Sequence, residues 1–139
     1  METGMMVCLA LTAGTAVLLY RMRWRIRSSW RRASSELGLG FRDAWRPSRL
    51  RMAGTVDGFH VMVMGDSGEG EPRVLVSHPD LKNMPNRDHP LGEYFILRDG
   101  NLIQIEHRRG AGLIHTNRAD ALVGSVRFLV GWGKLLLGR

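Results

Sequence analysis

From Thr3 to Tyr20 the chain carries no charged side chain, and from Arg21 to Arg32 it carries six arginines and no acid. A helix through the first stretch spans about 27 Å at 1.5 Å per residue, against a hydrocarbon thickness of about 30 Å. Arg21 and Arg23 can snorkel across the remaining few ångströms, with Trp24 among the headgroups. The pattern predicts a transmembrane anchor and basic collar over residues 1–27. A cleaved secretory signal would need a positive leader, and Met1-Glu2-Thr3-Gly4 offers only the amino terminus, offset by Glu2.

Behind the collar the periodicity shortens. Ser28 to Gly38 reads as a short amphipathic helix in which a serine caps the start, Trp30, Ala33 and Leu37 share a face, and Gly38 ends it in the left-handed conformation. It either continues the anchor or packs on the domain. Arg42 to Pro47 marks a turn. Leu50, Met52 and Gly54 then alternate with Arg49, Arg51 and Ala53, and Phe59, Val61 and Val63 with His60, Met62 and Met64. Asp57-Gly58 between these runs predicts a type I′ hairpin, whose central residues both need positive φ. Arg73 to Ser77 is a further strand. Tyr94 to Arg98 and Leu102 to Glu106 flank Asp99-Gly100-Asn101 as a second hairpin, with Leu102 and Ile105, or Ile103, facing inward according to register.

The last segment predicts a helix capped by Asn117. Asp120, Arg127 and Lys134, together with Gly124, Gly131 and Gly138, fall on one narrow stripe, and almost everything else is apolar. Such a helix is either buried on most sides or lies in a membrane interface with the stripe outward. Leu122, Val126, Phe128, Leu129, Trp132 and Leu136 are the residues it would offer as an interaction surface. The expected fold class is α+β: a transmembrane helix, then a small antiparallel sheet of about five strands with flanking helices, over residues 28–139.

The net charge of +7 suggests nucleic acid until its location is considered. Six of the 20 basic residues and one of the 13 acids lie in the first 32 positions, so the remainder holds 14 against 12 and a charge of +2. The excess belongs to the collar, and no basic face interleaved with stacking aromatics remains to bind nucleic acid. The collar residues Arg21, Arg23, Trp24, Arg25, Arg27, Arg31 and Arg32 are assigned to lipid contact, and the bilayer is the first partner. Arginines that all follow the span place the amino terminus outside and the domain in the cytoplasm. Cys8 is the only cysteine and lies in the apolar run, so no disulfide framework or thiolate metal cluster is available.

Candidate chemistry is sparse. His78, Asp80, Asp88 and His89 stand in one polar loop and are the available metal ligands, although no pair has a helical i, i+4 spacing. The same residue types are ordinary in a solvated, proline-containing connector. Gly65-Asp66-Ser67-Gly68 lacks the setting of a nucleophile turn, and the acids around it would repel a phosphate. No cofactor is implied. His78-Pro79-Asp80 is similar to the tripeptide of J-domain co-chaperones, but it follows a strand here instead of joining two helices.

The anchor, the Trp30 to Leu39 segment with its Glu-Leu-Gly-Leu turn, and the Gly54 to Phe59 hairpin resemble small bacterial membrane-anchored proteins of unknown function, over the first half of the chain. The resemblance implies fold more than activity. The expectation is a non-enzymatic binding or scaffolding domain at the cytoplasmic face of a bacterial inner membrane, with a membrane protein as partner. It would present a sheet edge or the last helix. The alternatives are a membrane-bound hydrolase or metal enzyme using the His78 to His89 loop, and a lipid-sensing peripheral domain.

Overall fold

A computed structural model describes residues 2–65, 72–83, 89–91, 94–99, 102–107 and 118–138. Helix α1 runs without a break from Glu2 to Leu37, about 54 Å. Every residue from Glu2 to Arg21 is exposed, and this is the one described helix long and apolar enough to cross a membrane. Two threonines inside the exposed stretch bond back to the preceding turn, Thr12 Oγ1 to the Cys8 carbonyl at 2.7 Å and Thr15 Oγ1 to that of Leu11 at 2.8 Å. Neither is left without an acceptor in an apolar medium.

The far half of the same helix is core. Ile26, Trp30 and Ala33 are buried, with Leu37 packed at their edge. That i, i+4, i+7, i+11 stripe runs through Ser28 and Ser29, so the expected serine cap does not exist and the chain there is mid-helix. Gly38 ends the helix at φ 69°, as its position predicts.

The sheet is antiparallel throughout. Strands β1 (Gly40–Arg42), β2 (Arg51–Val56), β3 (Phe59–Met64) and β4 (Arg73–Ser77) form a four-strand meander, with a 3₁₀ turn at Pro47–Arg49 before β2. A second 3₁₀ turn, Pro79–Asn83, follows β4, and β5 (His89–Leu91), β6 (Tyr94–Asp99) and β7 (Leu102–His107) return so that β7 lies against β4. The order is β1-β2-β3-β4-β7-β6-β5. Seven strands stand among the described residues where about five were expected, because β1 and β5 have three residues each and leave no periodic signal.

Asp57 and Gly58 take φ 50° and 84°, the positive pair a type I′ turn needs. This turn fixes a register in which Met52 pairs with Val63 and Val63 with Val74, all three buried. Val61, Val76 and Ile103 form the next inward row, which settles the second hairpin in favour of Ile103. Gly54 shares that row. A Cβ there would lie 3.0 Å from Leu39 Cδ2, so the missing side chain is the space into which buried Leu39 folds.

Helix α2 (Ala119–Leu136) covers the same inner face beside α1. Leu122, Val123, Val126, Leu129, Val130 and Gly133 are buried along it. Arg118 occupies the cap position without a side-chain cap, and the expected cap, Asn117, lies outside the described residues. Gly133 is needed for the packing, since a Cβ would stand 2.6 Å from Phe59 Cε1. Both helices lie on one side of the sheet, and the outer face carrying Ala53, Thr55, His60 and Met62 is exposed.

Candidate functional site

Where the exposed apolar half of α1 ends, the connection from β1 to β2 folds back against the helix. Arg27 donates two hydrogen bonds to Asp43, Nε to Oδ1 at 2.8 Å and Nη2 to Oδ2 at 2.6 Å, and Arg31 Nη2 adds a third at 3.2 Å. Two residues on, Trp45 lies against Tyr20 with ring centroids 5.6 Å apart, while the guanidinium carbons of Arg23 and Arg27 sit 5.3 and 5.7 Å from its ring. Arg23, Arg27 and Arg31 recur every fourth residue, so one short loop can hold all three. The hydrogen bond from Arg27 holds the Asp43 carboxyl below the usual carboxylate range, and Asp43 in turn raises Arg27.

The other collar arginines point elsewhere. At 100° per residue, Arg21, Arg25 and Arg32 lie on a line about 140° around the helix from the Arg23 to Arg31 ladder. Among the described residues, none of the three has a side-chain hydrogen bond or ion pair. Tyr20, Arg21, Trp24 and Arg25 line a shallow depression of about 290 Å³, with Trp24 58% and Tyr20 56% exposed.

Further along, an open groove of about 720 Å³ separates α1 from α2, lined by Ser28, Ser29, Arg32, Arg118, Asp120 and Arg127, among others. Arg127 reaches Glu36 at 3.6 Å, and Lys134 reaches Asp57 at 2.7 Å. The polar stripe expected on α2 thus faces solvent and joins that helix to α1 and to the β2–β3 turn. The interaction surface expected of α2 needs correction. Leu122, Val126 and Leu129 are core side chains, Trp132 and Leu136 are half-buried against the core, and only Phe128 is exposed, at 40%. Two covering partners, the sheet and α1, account for most of the apolar girth of this helix, and Leu135 and Phe128 remain exposed.

Of the loop residues offered as metal ligands, His78 and Asp80 lie together, Nδ1 to Oδ2 at 3.7 Å, and His89 stands apart from them. The His78 ring lies tilted by 50° against Phe59 with ring centroids 4.9 Å apart, and its Nδ1 accepts the Asp80 backbone N–H at 3.1 Å. His89 begins β5, three strands away from β4, and its row runs through Ile96 and Ile105 to Val74, four residues before His78. The register therefore separates the two backbones by about 14 Å across strands and about 13 Å along them, too far for one ion. Asp88 and Ser67 lie outside the described residues. Among the described residues, no three potential ligands gather around a point.

On the outer face, Ala53, Met62 and Leu75 form a continuous cross-strand row, beside His60 and Ser77 around a shallow depression of about 480 Å³. Sequence reasoning treated Asp43 and Trp45 only as parts of a turn. An acid and an indole two residues apart, beside arginines repeating at i+4, were the available signal. No known family model, curated protein or solved structure matches this chain.

Proposed function

We propose that this protein is a membrane-anchored, non-enzymatic binding or scaffolding domain at the cytoplasmic face of a bacterial inner membrane, with α1 crossing the bilayer once and its amino terminus outside. The observation that carries the reading is the continuity of α1. One helix is exposed throughout and uncharged from Thr3 to Tyr20, then enters the core at Ile26, with Trp45 against Tyr20 and Arg23 and with Asp43 holding Arg27 and Arg31. A flexible linker would serve a tether, whereas a clamped helix gives the domain a set orientation. The arginines after the span favour the cytoplasmic side. Because α2 turns most of its apolar side chains into the core, the outer sheet face is the surface assigned to a partner, where Met62 is 44% exposed in a continuous cross-strand row with Ala53 and Leu75. The partner is a second membrane protein.

A photo-crosslinking residue placed at Met62 in intact cells is expected to give a discrete adduct with another membrane protein, while one at Phe128 on α2 gives none. Adducts at Phe128 alone would refute the assignment of the face. A reporter active only in the cytoplasm, fused after Arg139, is expected to be active, and silence would reverse the orientation.

A further inference from the structure

The collar's arginines have two separate employments, and depth along the helix distinguishes them. The interfacial layer on each side of a bilayer is about 5–7 Å thick, the difference between the whole bilayer and its hydrocarbon core. With Tyr20 at the hydrocarbon boundary, Arg21 to Arg25 occupy the first 7.5 Å or so beyond it, Arg27 lies at about 10 Å and Arg32 at about 18 Å. Only Arg21, Arg23 and Arg25 therefore fall at the depth of lipid phosphates. Arg23 is held at the Trp45 ring. Arg21 and Arg25 remain, one turn apart on a single face, with no acid bound to either among the described residues. Between them and the exposed pair Tyr20 and Trp24 lies the depression of about 290 Å³.

We propose that Tyr20, Arg21, Trp24 and Arg25 form a seat for the phosphate of an anionic phospholipid, while Arg23, Arg27 and Arg31 serve the clamp that orients the domain. This inference rests on the membrane-spanning reading of α1. Two guanidinium groups one turn apart can each donate a pair of charge-assisted hydrogen bonds to phosphate oxygens. Tyr20 and Trp24 bring apolar rings with polar tips, suited to the boundary between acyl chains and headgroups. A free phosphate offers the same oxygens, but only a lipid phosphate is already concentrated at this depth. Arg32, on the same helical line but in the groove beside α2, is outside the lipid's reach.

The test uses full-length protein reconstituted in phosphatidylcholine vesicles with a small fraction of spin-labelled phosphatidylglycerol or spin-labelled phosphatidylcholine. Electron paramagnetic resonance then compares the two lipids in the immobilised shell around the protein. The wild type is expected to prefer phosphatidylglycerol, and Arg21→Gln with Arg25→Gln to lose up to about fivefold of that preference per arginine removed. Arg32→Gln should leave it unchanged. An unaltered preference in the double variant, or an equal loss in Arg32→Gln, would overturn the seat. Excess inorganic phosphate at constant ionic strength should not reduce the preference, and its abolition would reassign the site to a soluble anion. Absence of any immobilised phosphatidylcholine around the wild type would instead refute the spanning reading itself.

Discussion

Gly124, Gly131 and Gly133 share α2, and a single added methyl group separates their roles. Nothing lies within 4 Å of a Cβ built at Gly124 or Gly131, whereas one built at Gly133 meets Phe59 Cε1 at 2.6 Å and Cζ at 3.1 Å. Phe59 is fully buried and cannot swing away. Glycine in a helix interior costs up to about 1 kcal/mol relative to alanine, so Gly124→Ala and Gly131→Ala are each expected to stabilise the fold by about that much. At Gly133 the same gain is opposed by overpacking, typically about 1–3 kcal/mol, and the net effect is destabilising. Thermal unfolding followed by tryptophan fluorescence should show the first two variants melting several degrees above the wild type and the third below it. A Gly133→Ala protein that melts higher would mean that α2 does not rest on Phe59.

At the scale of elements, the clamp between the β1–β2 loop and α1 makes a pH-dependent contribution whose sign is fixed. Arg27 lowers the Asp43 pKa in the folded state, so unfolding raises it. The stabilisation is then fully present above the unfolded aspartate value of about 3.9 and disappears as pH falls through the lower folded value. Asp43→Asn is expected to lower the urea midpoint at neutral pH, and the gap to the wild type should close as the solution is acidified below about pH 4. A gap that persists in acid would show that the carboxylate is not what holds the loop. This contact was hidden in the sequence because its partners stand 16 residues apart on different elements. Local signals were far more legible. Asp57-Gly58 and Gly38 declared their positive φ, and the alternation of Phe59, Val61 and Val63 declared the inner face. Ser28 and Ser29 misled because serine favours helix starts, while the apolar stripe from Ile26 to Trp30 overrode that preference. The girth of α2 was ambiguous for a different reason. A helix apolar on most sides fits a core or a membrane interface equally, and only the presence of both covering layers decides. His78 and His89 are close in sequence, yet His78 directly follows β4 while the β5-β6-β7 return places His89 on a strand three positions away in the sheet.

For the whole molecule, α1 belongs to both parts at once, which moves the practical domain boundary. A division after Arg27 places Ile26 and Arg27 with the anchor, although the first is buried in the domain core and the second grips Asp43. Removing residues 2–20 takes away only exposed positions. That shortened protein is expected to be soluble and folded, with native near-ultraviolet circular dichroism and a cooperative unfolding transition. Removing residues 2–32 also deletes Ile26 and the fully buried Trp30. Losing side chains of that size costs about 2–5 kcal/mol for the isoleucine and 3–5 for the tryptophan. Together they approach the whole stability of a small domain, about 5–15 kcal/mol, so the longer deletion is expected to leave an unfolded or aggregated chain. A cut after Arg27 should fall between, folded but less stable than the cut after Tyr20, since it forfeits Ile26 and the Asp43 contact while keeping Trp30. If all three fragments unfolded at the same denaturant concentration, α1 would be an anchor alone, and the sheet and α2 would have to form the core without it.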